Sequence, residues 1–463
     1  MNAIRLTLLA LLVSGCATGP TYHRPDVPVT AFKEAATLPA WKYAEPAALD
    51  AQGRWWLAYD DTYLSGLVEE AGRANDTIRI SEARYRQALA LAASSRANLF
   101  PFLDLTGGVK RGTGNGSGGA GNVATNRRIG LEAGWEADVW GRVRNQAAAG
   151  DFAAQAGAAD LAAAKLAVQA AVAQVYFQVR ILDAQQRLLD GTAQAYERSL
   201  QLTQQRLRFG VATPADVAQA QAQLKSTQAQ AVDNRVQRNQ LEHALAVLLG
   251  REPASFALAP AVYVAAKVPV VPPGVPSRLL ERRPDVAAAE RRVASANASV
   301  GAAQAAYFPD LTLSATGGFQ STEGAQWLTV PHRVWALGPA LAVTLFDGGA
   351  RRAQADNAIA AYDATVASYR QTVLDSMQEV EDALALLAGL EQESELLDAA
   401  VQASRESERQ MLARYQAGTT DYLSVVTVQA TALAAERSAL AAQGRRLAAS
   451  VSLVKALGGG WNG

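Results

Sequence analysis

Hydrophobic residues recur every seven positions along residues 142–209, a pattern typical of a helix that pairs with other helices along its length. The repeat runs through Leu161, Val168, Val175, Leu182, Leu189 and Tyr196. The segment contains no proline, and at about 1.5 Å per residue it predicts a helix roughly 100 Å long. Residues 350–417 have the same character, with the repeat at Val366, Val373, Val380 and Leu387. We therefore expect two long coiled-coil helices.

Strict alternation of apolar and polar or small residues occupies two other segments, 129–139 and 334–346. In the first of them one face carries Ile129, Leu131, Ala133, Trp135, Ala137 and Val139. Each segment has about the 11 residues that a tilted strand needs to cross a bilayer. Residues 102–109 and 310–319 also alternate, which brings the expected strands to four. Residues 110–126 are rich in Gly, Asn and Ser and predict a loop.

Such strands are compatible with a transmembrane β-barrel and with a soluble antiparallel sheet that has one wet face, and the local pattern does not separate the two. Four strands are too few to close a barrel, since the smallest barrels have about eight. An open strand edge is not tolerated in lipid. If these strands cross a membrane, several copies of the chain must therefore share one barrel.

The chain is an internal duplication with a constant offset of 208 residues. Pairs related by this offset include Phe100 and Phe308, Pro101 and Pro309, Gly141 and Gly349, Arg144 and Arg352, and Gly210 and Gly418. Each half has the order helix, two strands, long helix, helix. We predict a first repeat over residues 61–250, a Pro-rich linker over 251–276 and a second repeat over 277–463.

Glycine interrupts each long helix near its C-terminal end. After Gly210, Thr213 is typical of a helix N-cap, Pro214 of the first helical position and Asp216 of the third. Gly418 interrupts the second long helix in the same way. Both sites predict a helix–turn–helix tip from which a shorter helix returns.

The N-terminus has the features of a processing signal. Arg5, an apolar segment at 6–13 and the small residues before Cys16 resemble a bacterial lipobox, so residues 1–15 are the expected lipoprotein signal peptide. An ordinary secretory signal with a cysteine at its cleavage site is the alternative. We expect covalent lipid on Cys16 and no other cofactor. Residues 16–60 contain five prolines and predict an extended arm on the protein or a disordered tether.

Composition narrows the class of function. Lys+Arg and Asp+Glu are equal at 43 each, which argues against nucleic acid as a partner. One cysteine and three scattered histidines give no recognisable metal site or catalytic relay, so we expect neither an enzyme nor a metal centre. No run of about 18 apolar residues follows the N-terminus, which argues against a membrane-spanning helix. The 98 alanines favour closely packed helices.

Over its whole mature length the chain resembles the TolC/OprM family of outer-membrane efflux proteins. The resemblance is carried by Cys16 with Gly19, Pro20 and Tyr22, by residues 140–142 (Trp-Gly-Arg), 279–285 (Leu-Leu-Glu-Arg-Arg-Pro-Asp) and 457–461, and by Arg414 and Tyr415 before Gly418. It implies an α+β membrane protein that forms a homotrimer in the outer membrane. Each protomer would give four transmembrane β-strands to one 12-stranded barrel, and the long helices would form a coiled-coil barrel through the periplasm.

The resemblance also implies the function and the partners. The protein would be the passive exit duct of a tripartite efflux system. It would bind a periplasmic adaptor, a membrane-fusion protein, and act with an inner-membrane transporter of the resistance–nodulation–division or a similar type. Two alternatives remain open from the sequence. One is a lipid-anchored periplasmic coiled-coil scaffold or adaptor, which would explain the heptads but not the paired strands. The other is an exit duct for type I secretion.

Site residues follow from the resemblance position by position. The positions that narrow the periplasmic gate in relatives are occupied here by Leu423, Ser424 and Thr427. Relatives often carry a ring of aspartates there, so the resemblance gives no acidic ring in this chain.

Two further groups of positions match the family at the helix tips. The positions that tether neighbouring helices are occupied by Asp216, Arg414 and Tyr415, and those expected to contact the adaptor by Gly210, Val211, Gly418 and Thr419. Asp216 could instead only cap its helix, and Tyr415 could instead be a core residue.

Overall fold

The structure is a computed structural model that describes residues 18–28, 32–34, 53–113, 123–261, 283–322 and 327–459. The expected signal peptide, Cys16 and most of the Pro-rich linker lie outside the described residues. A short 3₁₀ helix at Trp55–Tyr59 precedes the regular elements. The first repeat consists of α1 (Thr62–Ala74), α2 (Asp76–Ala97), β1 (Phe102–Thr113), β2 (Val123–Glu136), α3 (Arg142–Arg208) and α4 (Pro214–Leu248).

From α2 onward, the second repeat has the same order of elements as the first. It consists of α5 (Pro284–Ala305), β3 (Asp310–Ser321), β4 (Arg333–Ala342), α6 (Ala350–Gln416) and α7 (Tyr422–Ala456). Adding 208 to the bounds of α2, β1, α3 and α4 gives the bounds of α5, β3, α6 and α7 without a shift. The duplication predicted from the sequence is therefore present in the fold, and the two long helices each have 67 residues.

The four strands form one antiparallel sheet in the order β1-β2-β3-β4. Directly paired residues in such a sheet point to the same face. The pairs Leu105 with Leu131, Leu131 with Gly317, and Ala315 with Leu337 place the apolar residues of all four strands on one face. The outer edges of β1 and β4 have no partner strand within the described part of the chain.

The β1–β2 hairpin is longer than its sequence predicts. Thr113 pairs with Val123, and Lys110 pairs with Asn126. Both ends of the segment that was predicted as a loop, 110–126, are therefore strand. Glycine-rich composition favours a loop only when no neighbouring strand is available, and here cross-strand hydrogen bonds hold the residues extended.

The described residues divide into two compact units. The first comprises Met1–Val27, Ala83–Ala158 and Ala288–Gln371 and contains the whole sheet. Tryptophans fix its strand ends: Trp135 donates from Nε1 to the carbonyl oxygen of Leu99 at 2.9 Å. Trp140 donates to the carbonyl oxygen of Pro309 at 2.9 Å and stacks on Phe308. The second unit comprises Pro28–Glu82, Ala159–Ala287 and Thr372–Gly463.

The second unit contains a large apolar core built from all its helices. Its fully buried side chains include Trp55, Leu64, Phe177, Leu245, Leu249, Leu258, Leu384 and Leu390. Next to this core, residues 256–261 are fixed to α3 by arginines. Arg180 donates to the carbonyl oxygen of Ala259 at 2.9 Å, and Arg187 donates to that of Ala261 at 2.7 Å. Buried Asp183 holds Arg180 and Arg238 at 3.1 and 2.7 Å.

Within the part of the chain that the structure describes, α3 is long and apolar enough, by length and composition, to cross a membrane. An 18-residue window of α3 is apolar enough, and 33% of that window is buried within the chain. Many alanines in a helix satisfy this criterion without long apolar side chains. Helices in the core of a coiled coil have such apolar segments as well. We therefore interpret this segment of α3 as a face that packs against other helices.

Candidate gate at the helix tips

The first tip is a tight turn closed by backbone hydrogen bonds. Gly210 adopts a left-handed conformation with φ of 72°, which favours glycine because it lacks Cβ. Val211 donates its N–H to the carbonyl oxygen of Arg206 at 2.9 Å. Phe209 and Val211 are 83% and 67% exposed. The tip thus presents two apolar side chains to its surroundings.

The return helix α4 starts with a capping box. The Thr213 hydroxyl oxygen accepts the Asp216 N–H at 3.3 Å, and Asp216 Oδ2 accepts the Thr213 N–H at 2.7 Å. Pro214 occupies the first helical position. The helix start predicted from Thr213, Pro214 and Asp216 is therefore confirmed in its geometry.

The second tip has the same backbone geometry with different side chains. Gly418 is left-handed with φ of 76°. Thr419 donates both its N–H, at 3.0 Å, and its hydroxyl, at 3.1 Å, to the carbonyl oxygen of Arg414. Asp421 caps α7 by accepting the Ser424 N–H at 2.9 Å. Hydrogen bonds from Ser424 lower the pKa of the exposed Asp421 carboxyl.

Arg206 joins the end of α3 to the end of α6. Its Nη2 donates to the carbonyl oxygen of Gln416 at 3.0 Å, and its guanidinium lies 4.4 Å from the centre of the Tyr415 ring. The Tyr415 hydroxyl lies 3.2 Å from the Thr203 hydroxyl. This cation–π contact and the hydrogen bonds hold the two tips of one chain together.

An apolar cluster lies directly behind this connection. Its buried members are Ala220, Tyr415, Tyr422, Val425 and Val426. The Tyr415 and Tyr422 rings are 5.3 Å apart and tilted by 57°, and burial raises the pKa of Tyr422 to about 12. Tyr415 is thus a core residue and, through Thr203 and Arg206, a link between helices of the same chain.

The residues predicted to form the gate lie on the other side of α7. Leu423 is 58% exposed, and Thr427 is also exposed. The Thr427 hydroxyl donates to the carbonyl oxygen of Leu423 at 2.9 Å. Residues 423 and 427 are one turn apart and face away from the apolar cluster, while Ser424 is half-buried beside them. This face of α7 is available to line an aperture.

Asp216 and Arg414, the other two predicted tethers, have different local roles. The hydrogen bonds of the Asp216 carboxylate go to Thr213 within the same tip, as the capping alternative predicted. Arg414 exposes its side chain. A tether between copies of the chain stays a prediction for both residues.

Arg206 belongs to this site but was not predicted from the sequence. It is equivalent to Arg414 through the 208-residue offset, and that equivalence was the available signal. The structure gives Arg206, rather than Arg414, the contact with the neighbouring helix of the same chain.

Two acidic residues of α6, Glu379 and Glu381, bind other parts of the same chain. Glu379 accepts a hydrogen bond from Arg283 at 2.7 Å. Glu381 accepts the backbone N–H groups of Lys33 and Glu34. Among the residues that the structure describes, no group of three or more His, Cys, Asp or Glu side chains is placed to hold a metal ion.

The fold and the tips define a class of protein: a channel of the outer membrane, in which a sheet with an apolar face is joined to long paired helices. The sequence model of the family described as "Outer membrane efflux protein" matches residues 67–251 and 275–459. The chain belongs to this family. The two matched segments are again 208 residues apart, one for each repeat.

Curated relatives match over nearly their full length. The chain is 33% identical to the outer membrane protein OprJ of Pseudomonas aeruginosa, over 98% of this chain and 95% of OprJ. It is 30% identical to the pyoverdine export outer membrane protein OpmQ of the same species, over 100% of this chain and 97% of OpmQ.

Solved structures show the same fold. The outer-membrane channel OprN has a TM-score of 0.90 and 31% identity, covering 97% of this chain and 100% of OprN. The open state of the MtrE outer membrane channel of Neisseria gonorrhoeae has a TM-score of 0.85 and 29% identity, covering 96% and 98%. The predicted family, the α+β fold, the outer-membrane location and the efflux function are confirmed. The protein is a passive conduit and not an enzyme, as predicted.

Proposed function

We propose that three copies of this chain assemble into one duct, in which their sheets close a 12-stranded barrel through the outer membrane. The observation that carries the proposal is that the outer edges of β1 and β4 have no partner strand among the described residues. Both belong to a sheet with an apolar face, and an open edge in lipid leaves backbone groups without hydrogen bonds at a cost of several kcal/mol each.

The direction of the strands supports closure by repetition. The four strands alternate in direction, so β1 and β4 run in opposite directions. A second copy can therefore add its β1 to the β4 of the first and continue the antiparallel pattern. The similarity to the channels OprN and MtrE favours three copies.

The oligomeric state tests this proposal directly. Native mass spectrometry of the purified full-length protein in detergent should give the mass of three chains. A second measurement, single-channel conductance in planar bilayers, should show steady openings. A stable monomer, or a trimer that never conducts, would contradict the proposal.

We further propose that the duct is the outer-membrane component of a tripartite efflux system. Relatives include the toluene efflux pump outer membrane protein TtgC of Pseudomonas putida and OpmQ. This chain would dock a periplasmic membrane-fusion adaptor through its tips and act with an inner-membrane transporter of the resistance–nodulation–division or a similar type. Gly210, Val211, Gly418 and Thr419 would contact the adaptor, and the exposure of Val211 supports this role.

Efflux in cells tests the adaptor contact. The host strain should lack its own outer-membrane channels and carry the pump and adaptor genes that lie next to the gene of this chain. In that strain, the wild-type chain should restore drug resistance. Val211→Asp should abolish that resistance because it places a charge in an apolar contact. The variant should still assemble as a trimer, and full resistance would contradict the assignment.

Leu423, Ser424 and Thr427 are proposed to narrow the aperture of the trimer. The exposed positions of Leu423 and Thr427 on α7 support this role. Asp216, Arg414 and Tyr415 would restrict the opening of the tips. Tyr415 would do so within one chain through Thr203.

Cys16 is proposed to carry the lipid anchor. Acyl chains contribute about 0.8 kcal/mol per buried CH₂, so a multiply acylated cysteine would be held stably in the membrane. Labelled palmitate should appear in the wild-type protein and be absent from Cys16→Ser. Equal labelling of both proteins would contradict this assignment.

A further inference from the structure

The two repeats of one chain meet along a contact that we call the internal seam. In the sheet it is the antiparallel pairing of β2 with β3. Beside the sheet, α3 and α5 continue it: the Ser295 hydroxyl donates to the carbonyl oxygen of Ala149 at 2.8 Å, and Arg291 donates to the side chain of Gln155 at 3.3 Å. The internal seam therefore shows how a second repeat is added to a first.

The outer edges of the sheet are equivalent to the two strands of the internal seam. Residues 208 positions after β2 lie in and around β4, and residues 208 positions before β3 form β1. Transferring the pairing of β2 with β3 by this offset gives a register between β4 of one copy and β1 of the next. In that register the pair Gly134–Ser314 becomes Ala342–Thr106.

The faces of the strands agree with the transferred register. It places Leu341 opposite Gly107 of the next copy. Leu341 pairs with Leu311 and Gly107 pairs with Ile129, so both belong to the apolar face. A register displaced by one residue would put the apolar side chains of the two copies on opposite faces. The faces thus exclude every odd displacement, and the repeat selects one register among the rest.

The last residues of β2 are held by the internal seam alone. The pairing of β2 with β1 ends at Gly134, whereas its pairing with β3 continues to Glu136. Ala137 then donates its N–H to the carbonyl oxygen of Leu311 at 2.8 Å. A strand at a seam is therefore longer than its own hairpin requires.

The equivalent residues after β4 are exposed. The pairing of β4 with β3 ends at Ala342, and beyond it Val343 is 51% and Leu345 is 91% exposed. The transferred register gives Val343 and Thr344 strand partners on the next copy. It also directs the Leu345 N–H to the carbonyl oxygen of Leu103 of that copy. These residues are an extension of β4 that a second copy can pair.

Pro339 interrupts the transferred ladder at one position. Hydrogen-bonded pairs alternate with the other kind in an antiparallel sheet, and the bond from Ala137 to Leu311 shows that odd-numbered residues of β2 bond to β3. Odd-numbered residues of β4 therefore direct their backbone groups to the next copy. Pro339 has no N–H to donate, so the continuous part of this ladder is residues 341–345, next to the helices.

The helices beside the strands differ in exposure in the same sense. Ala294 and Ala298 of α5 are 0% and 7% exposed. Their equivalents 208 residues earlier in α2, Arg86 and Ala90, are both exposed. Within one chain, α5 is therefore covered at positions where α2 is not.

We propose that copies of this chain join in the register of the internal seam. β1 and α2 of one copy pack on β4 and α6 of the next, with Thr106 opposite Ala342. The contact of Ser295 with α3 transfers to Gln87 and Asn357, which are both exposed. The partner is thus a second copy of the chain, and the inference rests on the proposed function, to which it adds the residues in contact.

Disulfide formation between engineered cysteines tests the register. Even-numbered residues of β4 form the pairs without hydrogen bonds, whose Cα atoms lie about 4.5 Å apart, a distance that a disulfide spans. Thr106→Cys with Ala342→Cys places one cysteine on each side of the seam. Within one chain these residues lie on opposite edges of a four-stranded sheet, roughly 14 Å apart. A disulfide between them therefore joins two copies.

Oxidation of the full-length variant in detergent should give covalent dimers and trimers on a non-reducing gel. The matched control is Thr106→Cys with Ala340→Cys, which moves one cysteine by two residues along the same strand and face. Its Cα atoms would be about 7–8 Å apart, so it should give at most about a tenth of the linked product. The single variants Thr106→Cys and Ala342→Cys measure any linkage through Cys16, the one native cysteine.

Two results would overturn the register. One is linkage of the control in place of the first pair. The other is a protein that native mass spectrometry shows to be a trimer but in which neither pair links beyond the single variants. Should the first pair prevent assembly, Leu105→Cys with Val343→Cys tests the same register one residue further along.

The helices give a separate readout. Gln87→Cys with Asn357→Cys should link through a short bifunctional thiol reagent. Gln87→Cys with Ala367→Cys, about 15 Å further along α6, should not, and equal linkage of the two pairs would overturn the helix contact. A conducting trimer that links in another register would overturn the seam and leave the duct standing. A stable monomer in the native mass spectrum would refute the duct and the seam together.

Discussion

Asn75 donates a hydrogen bond from Nδ2 to the carbonyl oxygen of Leu248, the last residue of α4, at 2.8 Å. The equivalent pair 208 residues later keeps the contact with a different donor: Arg283 Nη1 donates to the carbonyl oxygen of Ala456, the last residue of α7, at 3.2 Å. In both repeats, the residue just before one helix donates a side-chain hydrogen bond to the last carbonyl oxygen of another helix. Such carbonyls lack a partner within their own helix.

Asn75 forms hydrogen bonds with two helices, so its substitution should remove two contributions to the free energy of unfolding. Its Oδ1 also accepts the Ile78 N–H at 3.2 Å, which caps α2. Asn75→Ala should lower the free energy of unfolding by roughly 2 kcal/mol, because a cap and a buried hydrogen bond are both lost. Asn75→Ser keeps a capping oxygen but cannot reach Leu248, so it should lose about half as much. Thermal unfolding of the purified protein measures both; identical midpoints for the two variants would rule out the capping contribution.

Gly210 and Gly250 have nearly the same left-handed backbone, with φ of 72° and 67°, but differ in the space around them. A Cβ at Gly250 would lie 2.4 Å from the carbonyl oxygen of Ala74, whereas nothing lies within 4 Å of one at Gly210. Gly210→Ala should lower the free energy of unfolding by only the strain of a left-handed alanine, about 1 kcal/mol. Gly250→Ala should lower the free energy of unfolding by roughly 3 kcal/mol or more, because the backbone at Ala74 must also move. Thermal midpoints and yields of assembled protein check this, and equal losses would show that the Ala74 contact relaxes freely.

The long elements were predictable from the sequence because their signals are local and periodic. The start of α3 at Arg142 and its end at Arg208, just before Gly210, follow from the heptads and the glycine. The same signals 208 residues later give α6. The ends of β1 and β2 were not predictable, because Thr113 is extended only through its pairing with Val123.

The candidate site was predictable in its backbone but not in its contacts. Gly210 and Gly418 identified the tips, and the Thr213–Asp216 box identified the start of α4. Which arginine joins the tips depends on which turn of α3 faces α6. Sequence spacing does not fix that rotation, so Arg206 was found only in the structure.

Arg206 should keep the tips closed. Arg206→Ala removes the hydrogen bond to Gln416 and the cation–π contact with Tyr415, each worth about 1 kcal/mol. The variant should show longer or larger openings in planar bilayers. Arg208→Ala is the matched control, since the Arg208 side chain is exposed near the same tip. If both variants conduct like the wild type, Arg206 has no part in gating.

Leu423 and Thr427 should set the width of the proposed aperture. Leu423→Ser with Thr427→Gly shortens both side chains on the exposed face of α7 and should raise single-channel conductance. The glycine also weakens the helix by about 1 kcal/mol, so Thr431→Gly, one turn further along α7, serves as the control for that effect. An increase in conductance that is just as large in the control would place the constriction elsewhere.

Glu408 should make the stability of the helix bundle depend on pH. Burial raises the pKa of its carboxyl, and the nearby negative charge of Glu436 raises it further. A hydrogen bond from Gln429 and the positive charge of Arg405 lower this pKa but do not cancel the rise. A raised pKa in the folded protein means that ionised Glu408 is unfavourable there. This cost is present above the folded pKa and disappears below the unfolded value of about 4.3. Glu408→Gln should therefore raise the thermal midpoint near pH 7 and leave it unchanged near pH 4. Glu395→Gln, on an exposed part of α6, should change it at neither pH. A benefit of Glu408→Gln that persists near pH 4 would mean that packing, and not charge, is responsible.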